Sequence, residues 1–416
     1  MPPATLPPLT VEEAAHSQRV QALIRQHIAQ AGGWLDFAAF MQLALYAPGL
    51  GYYSAGSVKI GAAGDFVTAP ELSPLFARCV ARQCAQVLTG LGGADILEFG
   101  AGTGALAAEV LRTLDGLGIL PGHYDILEVS ADLRARQQQR LAQLPAHLAR
   151  RVRWLSAWPG PVTGVVIANE VLDALPCRRF VVRAGSIRAL GVAVGGVSGA
   201  AEGAAPAADR SGPGPAAPAT AAPGPLVLRE APADTALLAA WEHIRPALRE
   251  PLPEGYTSEL CPGIAPWIAG LACVLSRGAV LLFDYGLPRA QYYHPERSTG
   301  TLTCHFKHRA HADALLNPGV QDITAWVDFS AVAEAAQDQG LEVLGFATQA
   351  AFLLGAGIGE ELAAARTDLE RARLAGEAQR LLLPGEMGEA FKLLALGRGL
   401  DVPLAAFAHQ DLRDSL

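Results

Sequence analysis

An α/β fold built on a mostly parallel, doubly wound sheet is what this sequence predicts, and three observations predict it. Short apolar runs recur from residue 94 onward, separated by stretches with helical periodicity. The first run ends in Gly100, Gly102 and Gly104, where a strand turns into a helix. The second ends in an acid, Glu128. Strands spaced in this way by helices imply parallel neighbours joined by right-handed crossovers.

Taken in order, residues 11–30 carry Val20, Leu23, Ile24 and Ile28 on a helical stripe, and a second helix is expected over 74–88, stopped at Gly90. Between them, 46–53 and 61–71 are rich in Gly, Pro and Thr, and too long for a plain connector. Residues 96–99 read as a buried strand. Residues 103–118 place Leu106, Val110, Leu111 and Leu114 on one helical face, with Gly118 as the stop. A second strand is expected over 124–129, with Ser130 capping the next helix, and further strands over 165–168 and 279–284. Segment 195–225 is almost wholly Ala, Gly, Pro and Ser; it cannot bury enough apolar surface to offset its ordering entropy and is expected to be disordered. Residues 341–348 and 391–398 read as strands around a helical stretch at 360–382, and by analogy with related folds the two pair antiparallel at the sheet edge. The chain thus divides into an N-terminal helical segment (1–92), a first part of the core (93–194), the insertion (195–225), the remainder of the core with substrate-side loops (226–400) and a tail (401–416).

At 416 residues the chain has room for one large domain with additions, or for two. Its formal charge of -8 argues against a non-specific hold on nucleic acid, which needs clustered Lys and Arg, and suits a basic protein or peptide partner better. Cys79, Cys84, Cys177, Cys261, Cys273 and Cys304 form no CxxC pair, so reduced thiols are expected rather than a zinc site or a disulfide framework. No secretory or transit pattern is visible at the amino terminus, and no run approaches the roughly 20 apolar residues of a membrane span. A cytoplasmic protein is expected.

The glycines at 100, 102 and 104 allow a tight turn and let a ligand approach bare backbone. The turn also fits the dinucleotide fingerprint, with Ala105 in its last position, so glycines alone do not choose the ligand. Glu98 favours S-adenosylmethionine: an acid two residues before the first glycine can hold a cationic methionine end, whereas the bare helix terminus prefers phosphate. Glu128 can accept both ribose hydroxyls and fits either ligand.

On the acceptor side, Asn169, Glu170, Val171, Leu172 and Asp173 follow a strand at its carboxyl end, where open sheets bind ligands. The Pro-Pro-aromatic run of amine-methylating nucleic-acid enzymes is absent, which counts against a base substrate. Glu170 and Asp173 lie three apart, on one face of a helical turn, and a carboxylate pair suits a guanidinium's planar fork. In the plainer reading Asp173 only caps or pairs. Asp284 and Tyr285 end another strand on the same edge, and the long polar run from 288 to 323 suits a lid or substrate wall. His305, His308 and His311 lie in that run, but no HExxH helix is present and methyl transfer needs no metal, so no metal is expected.

Together the motifs resemble the MidA-like family of S-adenosylmethionine-dependent methyltransferases, which includes a mitochondrial complex I assembly-factor arginine methyltransferase. The matching pieces are GYY at 51–53, GDFVTAPE at 64–71, LEFGAGTG at 97–104, ILEVS at 126–130, NEVLDALP at 169–176, SELCP at 258–262, FDYG at 283–286, GTL at 300–302, DITAWVDF at 322–329 and MGEAFK at 387–392. They run in order over nearly the whole chain. The resemblance implies a Rossmann-like class I core of seven strands with an inserted acceptor region, and for the mitochondrial member symmetric dimethylation of an arginine on a respiratory complex I subunit. Trp326 stands where many relatives have His, so no role of that His transfers here, and the insertion before Leu226 is long for the family.

The expected donor contacts are Glu98, Gly100, Gly102, Gly104, Glu128, Ser130, Asn169, Thr68 and Pro70. The expected catalytic groups are Glu170, then Asp173 and Glu259, with Asp284, Tyr285 and His308 on the substrate side. A small-molecule methyltransferase and a donor-binding assembly factor with little turnover stay open as alternatives.

Overall fold

The computed structural model describes residues 6–55, 65, 67–196 and 224–416. Helix α1 (Val11–Gln30) starts with a capping box, in which the Thr10 hydroxyl accepts from the Glu13 amide and the Glu13 carboxylate accepts from the Thr10 amide. β1 (Leu35–Asp36), α2 (Phe37–Tyr46), α3 (Ala69–Leu72) and α4 (Pro74–Leu91) follow. Helix α4 runs past Gly90 and stops at Gly92, because Gly92 takes the left-handed conformation, φ 73°, that closes the last turn.

The core then builds as β2 (Asp95–Phe99), α5 (Ala105–Gly116), β3 (Tyr124–Leu127), α6 (Ala131–Leu141), β4 (Val152–Leu155) and β5 (Val162–Asn169). After β6 (Arg178–Arg183), β7 (Ser186–Val194), β8 (Leu226–Pro232), α7 (Thr235–Ile244) and β9 (Thr257–Leu260), the chain returns to it through α8 (Ile264–Val274) and β10 (Leu275–Leu287). β11 (Thr303–Phe306), β12 (Arg309–His311), β13 (Asp322–Thr324), β14 (Val327–Asp328) and α9 (Phe329–Asp338) precede the closing pair β15 (Glu342–Thr348) and β16 (Phe391–Arg398), between which lie α10 (Gln349–Gly355), α11 (Ile358–Ala363), α12 (Asp368–Leu382) and α13 (Met387–Ala390).

The main sheet has the order β15-β16-β10-β5-β2-β3-β4, with β14 beside the end of β10 as an eighth strand. β16 lies antiparallel to both β10 and β15, while the central pairings are parallel. The sheet is therefore mixed, and the closing pair lies antiparallel at its edge as expected, with β15 outermost. Along β10, Ala279, Leu281 and Phe283 face a core shared with α4 and α5, while Val280 and Leu282 face one shared with α8 and α9. This two-fold alternation under helices on both faces is why the strands read as unbroken apolar runs.

Two further sheets stand outside the expected core. One is antiparallel, β1-β7-β6-β9, with β8 paired to β7; the other is β12-β11-β13. The expected wall over 288–323 thus contains three paired strands. The expectation of disorder for 195–225 falls, apart from the segment's ends, outside the described residues. Those ends meet: Val194 pairs with Leu226 and the Gly195 amide donates to Pro225 O at 2.8 Å, so 195–225 joins the two strands of one hairpin.

Parallel strands β2, β5 and β10 leave no room for a side chain at two glycines. A Cβ on Gly164 would lie 1.8 Å from Asp95 O, and one on Gly278 would lie 1.9 Å from Gly164 O. Gly164→Ala should lower the unfolding free energy by about 3 kcal/mol or more, since backbone cannot yield to overpacking there; denaturant titration measures it.

Candidate active site

A cavity of about 810 Å³ opens where β2, β3 and β5 end at their carboxyl edges. Its floor is the glycine turn. Gly100, Gly102 and Gly104 have φ of 62°, 53° and 83°, so the backbone itself demands glycine there, before any ligand is considered. No side chain caps α5, whose amino terminus borders the cavity.

One residue that the sequence reading passed over ties this floor together. Gln137, fully buried on α6, donates through Nε2 to Gly102 O and to Glu128 Oε2, both at 2.9 Å, while Trp154 Nε1 donates to Gln137 Oε1 at 3.1 Å. Glu128 also accepts the Ser130 amide at 2.8 Å, and Ser130 Oγ accepts from the Leu133 amide at 3.4 Å. The available signal was a polar residue at the centre of the buried stripe Leu133–Gln137–Leu141.

These residues fit S-adenosylmethionine. Glu128 presents a carboxylate at the end of β3, where ribose hydroxyls can donate to it. Beside it Phe99, Trp158 and Trp267 form an aromatic cluster with centroids 4.8 to 6.0 Å apart. Trp158 is 41% exposed and Val129 83% exposed, an apolar wall suited to a nucleobase. Glu98 also lines the cavity; its Oε2 accepts from the Tyr124 hydroxyl at 2.8 Å, and burial pushes its pKa up to about 8 despite that bond. Such a group gains from a cation beside it. Thr68 and Pro70 lie at the start of α3 on the cavity rim, and α3 is held over the glycine turn by Glu71, which accepts from Thr103 Oγ1 and, at 3.0 Å, from Arg140 Nη1.

Across the cavity Asn169, Glu170 and Asp173 come together as the sequence suggests, but not on a helical turn. Glu170 has φ 54°, a left-handed conformation uncommon for a side-chain-bearing residue, and its amide donates to Phe283 O at 2.9 Å. Asn169 Nδ2 donates to Glu170 Oε1 at 3.0 Å. Burial, then the charge of Asp173, pushes Glu170 up to about 8. Asp173 Oδ2 accepts from the Tyr285 hydroxyl at 2.5 Å, whereas its buried Oδ1 has no partner. Asp322 joins them from β13, pushed up to about 7 by burial and then by Asp173. Among the described residues, no Lys or Arg lines the cavity.

Five of the expected residues take other places. Gly104 caps α5 and lies against Gln137 rather than on the cavity wall. Glu259 is buried outside the cavity: Oε1 accepts from Arg179 Nε at 3.1 Å, and Oε2 from the Thr301 amide at 2.7 Å, so its carboxylate is fully engaged in joining β9 to the 300–302 loop. His308 is exposed at the β11–β12 turn, where its amide donates to Asp65 O. Asp284 lies beneath the acceptor turn and accepts the Leu172 and Asp173 amides at 3.0 and 3.2 Å. Tyr285 acts through its bond to Asp173. Asp284 and Tyr285 therefore position Asp173 rather than line the cavity.

Two outcomes follow from this geometry. Glu98 and Glu170 hold protons in the folded chain up to about pH 8 but release them from about 4.5 when unfolded, so the ligand-free protein should lose stability as pH rises between those values. Denaturant titrations at several pH values measure the slope, and the double substitution Glu98→Gln with Glu170→Gln should flatten it. Gln137→Leu should weaken S-adenosylmethionine binding about tenfold by freeing Glu128 and the Gly102 carbonyl, as read by calorimetry.

Comparison with known proteins agrees with this geometry. A family profile described as "Putative S-adenosyl-L-methionine-dependent methyltransferase" matches residues 79–347. A Burkholderia thailandensis protein, solved with S-adenosyl-homocysteine bound, is 40% identical; the match covers 99% of this chain and 100% of that one, with a TM-score of 0.88. A native crystal structure from the same organism is 41% identical, with a TM-score of 0.85 and the same coverage. The mitochondrial protein arginine methyltransferase NDUFAF7 of Danio rerio is 27% identical over 93% of this chain and 90% of its own length. That of Mus musculus is 28% identical over 92% and 86%. With a class I fold, a site that fits the donor and a family match over most of its length, the chain belongs to this family of S-adenosylmethionine-dependent methyltransferases.

Proposed function

We propose that the chain methylates a guanidino nitrogen of a protein arginine, and, on the family resemblance, that the acceptor is a respiratory-complex subunit. The observation that carries the guanidino reading is the cluster of half-buried Glu170 with buried Asp173 and Asp322 beside the donor turn, where no basic residue among the described ones lines the cavity. Buried carboxylates without a counter-charge favour a cationic partner, and a planar fork of N–H donors meets two of them at once. The arginine methyltransferases named among the relatives support the same reading.

Bound S-adenosylmethionine supplies a methyl group on a sulfonium, which leaves as a neutral thioether. The chain's own residues do the rest. Glu170 and Asp173 hold the guanidinium so that one nitrogen faces the donor turn, and alignment of this kind removes much of the barrier. As the new N–C bond forms, the nitrogen must lose a proton; Glu170, protonated in the ligand-free site, releases its own proton to solvent when the cationic guanidinium docks beside it, and its carboxylate then accepts the one the nitrogen gives up. Asp173, kept in place by Tyr285 and the Asp284-bound turn, stays beside the positive charge throughout.

Glu170→Gln should lower kcat for an arginine peptide about a hundredfold while leaving donor affinity near that of the parent. Transfer of label from S-adenosylmethionine to the peptide, with calorimetry of the donor alone, measures both. Label appearing in metabolites but in no cell protein would refute the reading, as would donor binding without any methylated product.

A further inference from the structure

Two motifs singled out in the sequence, GYY at 51–53 and DITAWVDF at 322–329, meet at the acceptor end of the cavity, although 269 residues separate Tyr53 from Asp322. After α2 the chain folds back on itself: the Tyr52 amide donates to Ala44 O at 2.9 Å and the Tyr53 amide to Leu45 O at 2.8 Å. Gly51 makes the reversal possible, since a Cβ there would lie 2.5 Å from Ala47 N and from Leu45 C. The reversal lays the Tyr53 ring on that of Tyr46, with centroids 5.4 Å apart and planes 25° apart, and the Tyr46 hydroxyl is fixed on Ala174 O at 2.9 Å. The Tyr53 hydroxyl donates to both oxygens of Asp322, at 2.9 and 3.1 Å, and the Ile323 amide adds a bond at 2.9 Å. Both tyrosines, Asp322 and Asp173 line the cavity.

Resting on the arginine reading above, we propose that Asp322 binds the acceptor guanidinium and that the Tyr46–Tyr53 pair selects it over a lysine ammonium. Asp322 and Asp173 repel one another, and among the described residues every donor to either is a neutral hydroxyl or a backbone amide. The unpartnered Asp173 Oδ1, on a side chain only 5% exposed, shows where a further donor is missing. A guanidinium brings five N–H donors in one plane and can bond to Asp173 and Asp322 together while stacking on an aromatic face. An ammonium is a compact point charge that stays strongly hydrated, and it gains less from this arrangement. The hydroxyl of Tyr53 keeps Asp322 turned toward the cavity, so Tyr53 is a positioning residue as well as part of the aromatic wall.

The test uses the full chain saturated with S-adenosylhomocysteine, titrated with N-acetyl-arginine methylamide and, separately, N-acetyl-lysine methylamide. The parent should prefer the arginine compound. Asp322→Asn should weaken arginine binding about tenfold, the loss expected when a charge-assisted bond becomes neutral, while S-adenosylhomocysteine affinity holds. Tyr53→Phe, which keeps the ring, should weaken it less, and Tyr53→Leu should also narrow the arginine–lysine gap. In turnover with an arginine peptide, both Asp322→Asn and Tyr53→Leu should raise KM more than they lower kcat. If the parent binds or methylates no arginine compound, the guanidino reading falls and this inference with it. If the parent does bind but Asp322→Asn and Tyr53→Leu bind arginine as tightly, this inference alone is overturned.

Discussion

Carboxylates taken out of water without a positive neighbour are costly, and this fold gathers the buried Glu98, Asp173, Asp284 and Asp322, with half-buried Glu170, at one edge of its main sheet. Burial is the leading cause of the raised pKa of every one of them. What surrounds them is built to tolerate that state rather than neutralise it: tyrosine hydroxyls on Glu98, Asp173 and Asp322, backbone amides on Asp284. A sulfonium donor is the natural complement to such a site, because among the described residues no positive charge lines the cavity; the guanidinium acceptor proposed above would meet the same carboxylates.

The rest of the architecture is arranged to hold those groups in place. A parallel sheet ends all its central strands at one edge, so β2, β3 and β5 deliver Glu98, Glu128 and Glu170 to the same cavity. The added sheets have the complementary task. β13 brings Asp322, and the α2 reversal brings Tyr46 and Tyr53, so segments outside the Rossmann-like core complete the acceptor end that the turn after β5 begins with Glu170 and Asp173. Arg179 and Glu259, a buried ion pair, bind the antiparallel sheet to the 300–302 loop. Isolating such a pair in the interior makes it sensitive to losing either partner, which gives Glu259 a structural importance of its own.

Much of the donor half was legible in the sequence because it is local. A strand, a glycine turn and a helix occupy adjacent positions, and their residue types follow from backbone geometry that neighbours alone impose. Thus Gly100, Gly102 and Gly104, Glu128 and Ser130 could be named from spacing. Gln137 escaped although its signal was present, since a polar residue on an apolar stripe acquires meaning only when its partners are known. The helical turn expected for Glu170 and Asp173 also failed for a local reason: a left-handed Glu170 breaks the helix before it starts, and nothing in a glutamate's chemistry announces that conformation.

Sequence alone determined the α/β periodicity, the position of the donor turn and the acids that flank it, because each depends on residues close in the chain. Tertiary structure alone decided that Glu259 is a buried pair, that His308 faces solvent and that Asp322 stands beside Asp173. Those outcomes turn on short strands whose partners are not their sequence neighbours: β9 pairs with β6 across the intervening β7 and β8, and β13 pairs with β11 across β12. A strand's pairing is chosen by the faces it can bury, and a carboxylate's role by the charges it meets there, so neither is a property of the segment that carries it.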